Sequence, residues 1–231
     1  MEKTCLSVAE GYERWAPNYD RDPNPLLTLE ERQLQRLIPP LKGRRVLDLA
    51  CGTGRWLERI LAEGASLGAG LDFSPAMLRA AKEKFALSSR LVQGDCRVIP
   101  FANAIFDLVI CSFAVGHIPD LHRVAVEVNR VAATNADVYV TDLHPQAYRS
   151  GWRTGFRDSG GAVEIATCPR STQEFMAPWI AAGFDCAQTV ECRFREPDRQ
   201  VFARAGKTRE FGEFCQIPAV LIGHFQRPAE R

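Results

Sequence analysis

Short apolar runs alternate with amphipathic stretches along residues 45–142, and this alternation restricts the possible folds more than any other feature. Runs such as Arg45-Val-Leu-Asp-Leu-Ala50 and Phe106-Asp-Leu-Val-Ile-Cys-Ser-Phe113 have the length and composition of buried strands. The segments between them repeat apolar residues at helical spacing. Strands that alternate with helices form βαβ units, whose strands lie parallel in one sheet. Five strands are predicted here, with two more near residues 186–194 and 218–226. The sequence therefore predicts an α/β fold with a doubly wound, mostly parallel, seven-stranded sheet.

Local signals predict the helix ends and the domain organisation. Capping boxes at Thr28-Leu-Glu-Glu31 and Ser171-Thr-Gln-Glu174 each predict a helix start, the second helix running to Ala182. Ser74-Pro75 predicts another helix, which continues through Phe85. We expect one domain in four parts. These are an N-terminal helical cap (1–40), a ligand-binding core (41–144), a β-hairpin insertion after the fifth strand (145–168), and a C-terminal helix and strands (169–231).

Charge and composition exclude several classes of protein. The 29 Lys and Arg residues nearly balance the 28 Asp and Glu residues, so no nucleic-acid partner is expected. No apolar run approaches the roughly 18 residues that a transmembrane helix needs. The first residues lack the apolar stretch of a signal peptide, which predicts a cytoplasmic protein. Eight cysteines without a CxxC pair favour reduced thiols and predict no metal site.

The glycine-rich turn after the first strand of the core predicts a ligand site. Asp48-Leu-Ala-Cys-Gly-Thr-Gly54 connects that strand to a helix, where open α/β sheets bind ligands. Glycines allow the backbone to approach a ligand closely. A dinucleotide fingerprint would require glycine where Leu57 stands, so NAD is disfavoured. The pattern of an ATP-binding P-loop is also absent.

Two further strand ends carry carboxylates. Asp72 stands where a carboxylate can accept hydrogen bonds from ribose hydroxyls, and Gly94-Asp95 follows the next strand. The ordered set predicts an adenosyl ligand without a pyrophosphate. The alternative is that each aspartate merely caps the helix that follows it.

These segments resemble a known family. Val46–Gly54, Gly70–Leu78, Gly94–Phe101 and Phe106–Phe113 are similar to the successive motifs of class I S-adenosylmethionine-dependent methyltransferases. They resemble most the methyltransferase type 11 group, which includes ubiquinone and menaquinone C-methyltransferases. The resemblance covers residues 10–142 well and implies a Rossmann-like fold. It also implies S-adenosylmethionine as cofactor and S-adenosylhomocysteine as product.

The resemblance implies roles for individual residues. The expected methionine-side residues are Asp48, Gly52, Gly54, Arg55 and Ser112, and Tyr19 and Ala50 are also expected to lie at the cofactor. Asp72 is expected to bind the ribose, and the expected adenosine or adenine contacts are Phe73, Met77, Asp95 and Cys96. Ala50 departs from the family, which usually carries glycine there. In Val115-Gly-His117, only the second of two histidines found in many relatives is present.

Two histidines are candidates for a catalytic base. His117 follows the fourth strand and His144 follows the fifth, and both loops lie on the ligand side of the predicted sheet. His117 could instead simply begin a helix. Tyr12, Trp15 and Tyr19 could form a lid or only pack their helix against the domain. In an extended hairpin, Trp152 and Phe156 would share one face, which could stack an aromatic acceptor.

The sequence thus predicts a methyltransferase that moves a methyl group to a small molecule by in-line displacement. We expect the acceptor, aromatic or quinone-like, to lie between the N-terminal lid and the hairpin. No membrane span is expected, and the protein is expected to be a monomer or a homodimer. The alternative is a domain that binds S-adenosylmethionine without transferring the methyl group, as a sensor or partner subunit.

Overall fold

The computed structural model of the chain describes residues 4–84 and 87–229. Its strands are β1 Thr4–Leu6, β2 Arg45–Leu49, β3 Leu67–Asp72, β4 Leu91–Gln93, β5 Phe106–Ser112, β6 Ala132–Leu143, β7 Gly155–Asp158, β8 Gly161–Ile165, β9 Asp185–Cys192 and β10 Val220–Gln226. Its helices are α1 Val8–Trp15, α2 Pro25–Leu37, α3 Arg55–Ala62, α4 Pro75–Lys82, α5 Leu121–Val131, α6 Pro145–Arg149, α7 Thr172–Ala181, α8 Arg199–Arg204 and α9 Phe211–Phe214. α4 begins as predicted, and the predicted helix end at Phe85 lies outside the described residues.

The main sheet has seven strands in the order β4-β3-β2-β5-β6-β10-β9. The pairs β3–β4, β2–β3, β2–β5 and β5–β6 are parallel, whereas β10 runs antiparallel to β6 and β9. The predicted seven-stranded, mostly parallel sheet is therefore confirmed. The chain reverses its direction of travel across the sheet between β2 and β5, so a crevice opens at the carboxyl ends of these strands.

Hydrophobic layers cover both faces of this sheet. Successive side chains of a strand point to opposite faces, so β5 contributes Val109 and Cys111 to one layer and Leu108 and Ile110 to the other. α5 and α7 complete the first layer, whereas α2, α3, α8 and α9 complete the second. Because both faces are buried, the strands are continuous apolar runs, which is what made them recognisable.

The first two helices differ from their predicted bounds. α2 begins at Pro25, and the Asn24 side chain accepts a hydrogen bond from the Leu26 N–H. The prediction that Thr28 caps this helix is thus wrong, because Asn24-Pro25 supplies both a cap and a preset φ angle one turn earlier. α1 ends at Trp15, so Tyr19 lies in the turn that follows.

The C-terminal region follows its predicted outline. Ser171 caps α7 through a reciprocal capping box with Glu174, as predicted. The two late strands are β9 and β10. The short helices α8 and α9 had no predicted counterpart. Within residues 4–84 and 87–229, no helix combines the length and the apolar character needed to cross a bilayer.

A second, three-stranded sheet joins the N-terminus to the insertion after β6, and we call it the small sheet. β7 and β8 form a hairpin whose two-residue turn lies between Asp158 and Gly161. β1 pairs with β8 in parallel, Thr4 opposite Val163 and Leu6 opposite Ile165. The start of the chain is thus hydrogen-bonded to a segment about 160 residues away.

The predicted common face of Trp152 and Phe156 is wrong. α6 and the following turn at Gly151, whose φ is 88°, delay the extended backbone until Gly155. Trp152 therefore precedes the hairpin and stacks on Phe214, with 4.0 Å between ring centroids. Phe156 stacks instead on Trp15 of α1, at 5.1 Å.

Candidate active site

The turn between β2 and α3 has an unusual backbone. Ala50, Gly52 and Gly54 have positive φ angles of 57°, 56° and 77°. Glycine adopts such angles without steric cost, whereas Ala50 is strained by roughly 1–2 kcal/mol. A Cβ on Gly54 would also lie 2.4 Å from Leu87 Cδ1. The φ angle at Ala50 explains why the motifs that this segment resembles carry glycine there.

A buried carboxylate, that of Asp48, and a half-buried one, that of Asp72, hold this turn in place. Asp48 Oδ2 accepts a hydrogen bond from the Leu57 N–H at 2.9 Å, in the first turn of α3. Asp72 accepts the Gly52 N–H and the Ser74 N–H, each at 2.7 Å. Burial raises the pKa of Asp48 to about 7 and also raises the pKa of Asp72. Asp48 thus binds a free N–H in the first turn of α3, whereas α4 is capped by Ser74 and not by Asp72. Each carboxylate oxygen keeps a lone pair for a ligand.

A cavity of about 270 Å³ opens at the carboxyl ends of β2, β3, β4 and β5. The predicted cofactor residues that line it are Tyr19, Ala50, Gly52, Asp72, Phe73, Met77, Asp95, Cys96 and Ser112. Tyr12 of α1 and His117 line it as well. Gly54 does not line it. The structure thus brings together residues from separate parts of the chain that were assigned to one ligand.

One end of the cavity is apolar and aromatic. Phe73 is 59% exposed, which is unusual for so large an apolar side chain, and it lies at the cavity wall beside Met77. Asp95 pairs with Arg97 through hydrogen bonds of 2.6–3.0 Å, and this pairing lowers the pKa of Asp95. Burial raises the pKa of Cys96 to about 12, so its thiol stays protonated. A flat ring could stack on Phe73 while its edge meets Asp95 and Cys96.

A smaller cavity adjoins the first at the glycine turn. Tyr19, Ala50, Gly52 and Ser112 line both cavities, and Asp48 and Arg55 line only the smaller one. Arg55 Nη2 lies 3.1 Å from Ser112 Oγ. The Arg55 side chain is 24% exposed and lines the smaller cavity, so it can meet a carboxylate bound there.

Sequence reasoning missed the residue that positions Arg55. Glu30 of α2 is fully buried and accepts hydrogen bonds from Arg55 Nη2 at 2.8 Å, Trp56 Nε1 at 3.3 Å and Thr141 Oγ1 at 3.1 Å. The signal was present, because Glu30 stands in the apolar stripe of α2, four residues before the buried Leu34. A charged residue in such a stripe indicates a buried partner.

His117 and Tyr12 form a hydrogen-bonded pair at the cavity wall. His117 Nδ1 lies 2.8 Å from the Ala166 carbonyl oxygen and Nε2 lies 3.0 Å from Tyr12 Oη. The carbonyl can only accept, so Nδ1 carries the proton and Nε2 accepts from the Tyr12 hydroxyl. Burial lowers the pKa of His117, and burial raises the pKa of Tyr12 well above its usual value. The pair is neutral, with a basic nitrogen that faces the hydroxyl.

His144 is not brought to this cavity. Its Nδ1 accepts the Gln146 N–H at 3.1 Å, which caps α6, and its Nε2 lies 3.3 Å from Glu191 Oε1 on β9. His144 follows the end of β6, as expected, but its ring is buried against the neighbouring antiparallel strands. The expectation that it faces the ligand side does not agree with this placement.

Comparison with known proteins agrees with this architecture. A family model described as a methyltransferase domain matches residues 46–135. A demethylmenaquinone methyltransferase from Listeria monocytogenes is 30% identical over 162 residues, which are 64% of this chain and 67% of the relative. One from Staphylococcus aureus is 33% identical over 52% of this chain and 53% of the relative. The crystal structure of an S-adenosylmethionine-dependent methyltransferase from Mesorhizobium loti superposes with a TM-score of 0.67 at 21% identity, covering 86% of this chain and 98% of that one.

Proposed function

Because this chain belongs to the class I S-adenosylmethionine-dependent methyltransferases, we propose that it methylates a small hydroxylated aromatic acceptor of the quinol type. The observation that carries the proposal is the Tyr12–His117 pair on the wall of an aromatic cavity that also contains the expected cofactor residues. The similarity to the demethylmenaquinone methyltransferase from Listeria monocytogenes supports an acceptor with such a ring.

The donor set fits S-adenosylmethionine. In this proposal Asp72 accepts the ribose hydroxyls, and Phe73 and Met77 hold the adenine, whose edge faces Asp95 and Cys96. The methionine end then lies in the smaller cavity. Its neighbours would be Tyr19, Asp48, Ala50, Gly52, Arg55 and Ser112, with Gly54 shaping the turn from behind. The cradle fits because the backbone at Gly52 carries no side chain that would fill it.

The cofactor supplies an electrophilic methyl group on a sulfonium. The protein must orient the acceptor, exclude water and remove a proton. The proton of the acceptor hydroxyl passes to Tyr12 Oη while the Tyr12 hydroxyl proton passes to His117 Nε2. The Ala166 carbonyl stabilises the resulting imidazolium through Nδ1–H. Removal of this proton would make the ring oxygen, or the carbon beside it, nucleophilic enough to take the methyl group as its bond to the sulfonium sulfur breaks, with S-adenosylhomocysteine as the leaving group. Methylation at the carbon would also require that carbon to release its hydrogen as a proton to solvent.

Cofactor binding is tested first, by calorimetric titration with S-adenosylmethionine and S-adenosylhomocysteine. We expect Asp72→Ala to weaken the binding of both compounds. Asp107→Ala is the matched control, because Asp107 pairs with Arg45 at the opposite end of the sheet. Its binding should equal that of the wild type. A folded wild-type protein that binds neither compound would contradict the cofactor assignment.

Methyl transfer to 1,4-naphthoquinol, measured anaerobically as a mass gain, tests the acceptor and the base. Loss of a general base typically costs about 100-fold or more, so His117→Ala should lower turnover by at least that factor with unchanged cofactor affinity. Tyr12→Phe should also lower turnover. His122→Ala, an exposed histidine on α5, is the control. Unchanged turnover in His117→Ala would remove His117 from the mechanism.

A further inference from the structure

The turn that carries His117 contains few hydrogen bonds of its own. It is the 3₁₀ turn Val115–His117, in which the His117 N–H donates to the Ala114 carbonyl at 2.9 Å. The Ile118 N–H donates back to the first residue of the turn at 3.1 Å, and no described side chain caps its start. A single 3₁₀ turn is a short element with poor hydrogen-bond geometry, so contacts from elsewhere in the chain must fix its position.

Those contacts come from the segment between β8 and α7, residues 166–170, which we call the linker. The Cys168 N–H donates to the Gly116 carbonyl at 2.6 Å, which binds the backbone of the turn. The Ala166 carbonyl oxygen lies 2.8 Å from His117 Nδ1, which binds the imidazole ring. The linker therefore holds the backbone of the turn and the ring of the proposed base at the same time.

Arg170, the last residue of the linker, binds the turn through its guanidinium. Its Nη1 donates to the Val115 carbonyl at 2.8 Å, and its Nη2 donates to the carbonyls of Ile118 and Pro119, the latter at 3.0 Å. These acceptors stand on both sides of His117 in the sequence. The guanidinium is planar and presents its N–H donors in a fixed fork, so it sets the positions of the carbonyls relative to one another.

The acceptors of Arg170 indicate what its charge is used for. Within the described chain, the guanidinium donates to the carbonyls of the turn and to the Cys168 carbonyl of its own linker, at 3.2 Å. Hydrogen bonds from a charged donor are stronger than those between neutral groups. An arginine whose donors converge in this way on one short turn and on the segment beside it holds the two together.

We infer that Arg170 is a positioning residue, which holds the backbone of residues 115–119 so that His117 Nε2 faces the Tyr12 hydroxyl. This inference rests on the proposed function, since it concerns the base of that reaction. Arg170 does not line the cavity, so it acts only through the turn. Without its guanidinium the turn and the linker can separate, and His117 then loses both the Ala166 carbonyl and its alignment with Tyr12.

Nitrogen NMR of the imidazole rings tests the positioning without any turnover. At about pH 8, the neutral His117 ring of the wild type should carry its proton on Nδ1, because the Ala166 carbonyl can only accept. Arg170→Met keeps a flexible side chain but donates no hydrogen bond, so it should give a mixture of the two tautomers. His144 is the internal reference, since its Nδ1 accepts the Gln146 N–H and its ring should keep the opposite tautomer. His117→Ala identifies the His117 signals.

Turnover shows whether Arg170 acts through His117. Misplacement of a reacting group by about 1 Å can cost on the order of 100-fold, so Arg170→Met should lower transfer to 1,4-naphthoquinol by roughly 10- to 100-fold. The affinity for S-adenosylhomocysteine should not change. In the His117→Ala background, Arg170→Met should lower the residual turnover by less than about twofold, because the group that it positions is absent. Arg170→Lys keeps the charge without the fork and should restore part of the turnover.

Arg130→Met is the matched control. Arg130 of α5 also donates to backbone carbonyls, those of Ile99 at 2.7 Å and Phe101 at 2.8 Å, and it lines neither cavity. Its replacement should leave both the His117 tautomer and the turnover as in the wild type. Thermal unfolding shows whether each variant is folded, and Arg170→Lys takes the place of Arg170→Met in every comparison if the methionine variant is not.

The outcomes separate the inference from the proposed function. Mixed His117 tautomers in the folded variant, together with a loss of turnover that disappears when His117 is absent, support the inference. A single Nδ1–H tautomer, an unchanged turnover, or an equal loss of turnover in both backgrounds would overturn it. If the tautomers mix but the wild type methylates no quinol, the positioning role stands and the proposed function fails. Transfer to quinol without any change of tautomer in the variant has the opposite meaning.

Discussion

Replacement of Arg55 by methionine should remove the recognition of one end of the cofactor while leaving the other end intact. In the proposed pose, the guanidinium faces the carboxylate of the methionine moiety from the smaller cavity. 5′-Methylthioadenosine contains the adenosine end and lacks that carboxylate. The difference between its affinity and that of S-adenosylhomocysteine therefore isolates the contribution of the smaller cavity.

The expected magnitude follows from the partners of Arg55. Its guanidinium already pairs with Glu30 at 2.8 Å and Glu31 at 3.3 Å, so its charge is largely compensated before a ligand arrives. One charge-assisted hydrogen bond of about 1.5–3 kcal/mol is then available, which corresponds to roughly 10- to 150-fold in Kd. We expect Arg55→Met to raise the Kd of S-adenosylhomocysteine by this factor and the Kd of 5′-methylthioadenosine by less than twofold.

Calorimetric titration of both compounds measures the effect. Arg59→Met is the matched control, because Arg59 lies one turn further along α3, also pairs with Glu31, and lines neither cavity. Loss of Arg55 leaves Glu30 buried without its cation, so unfolding in urea must be followed in parallel. Glu30→Gln/Arg55→Met should recover stability without recovering affinity. If Arg55→Met weakened the binding of both compounds equally, or changed the binding of neither, the assignment of Arg55 to the carboxylate would be refuted.

Three further changes have defined outcomes. Phe73→Ala should weaken the binding of 5′-methylthioadenosine by roughly 1–3 kcal/mol, because the stacked ring is lost. The Tm should change little, because the Phe73 side chain is exposed. An unchanged Kd by calorimetry would exclude stacking. Burial raises the pKa of Asp48 from its ordinary value of 3.8 to about 7 in the folded protein. The folded state therefore favours the protonated carboxyl group. The stability that Asp48 contributes is complete below about pH 4 and is lost as the pH rises through 7. The stability of the wild type relative to Asp48→Asn should thus fall by about 1–3 kcal/mol between pH 5 and pH 8 in urea unfolding, and a pH-independent difference would contradict this. Gly116→Ala should lower the free energy of unfolding by about 1–3 kcal/mol, because its Cβ would collide with Asp142 and Tyr148; wild-type stability would show that the turn yields.

Features encoded by neighbouring residues were predictable from the sequence. The glycine turn, the strand before it and the carboxylate of Asp72 lie in short segments whose residue types have a direct backbone meaning. The same holds for the cap of α7, where Ser171 and Glu174 are three residues apart. The parallel sheet followed from the alternation of such segments.

Features that depend on distant partners were not predictable. Glu30 binds Arg55 from 25 positions away, and β1 pairs with a strand of the insertion. His144 stands at the expected place in the sequence, but whether its ring faces the cavity or Glu191 depends on how β9 packs.

The small sheet has a practical consequence for exchanging segments between proteins. Strand pairing, the Arg14–Asp158 ion pair at 2.5 Å and the Trp15–Phe156 stack join the start of the chain to the hairpin. A graft of either segment alone into another protein would lack the segment with which it pairs. The start of the chain and the β7–β8 hairpin form one structural unit, although they are encoded far apart in the sequence. Recombination between relatives would therefore have to exchange both segments at once.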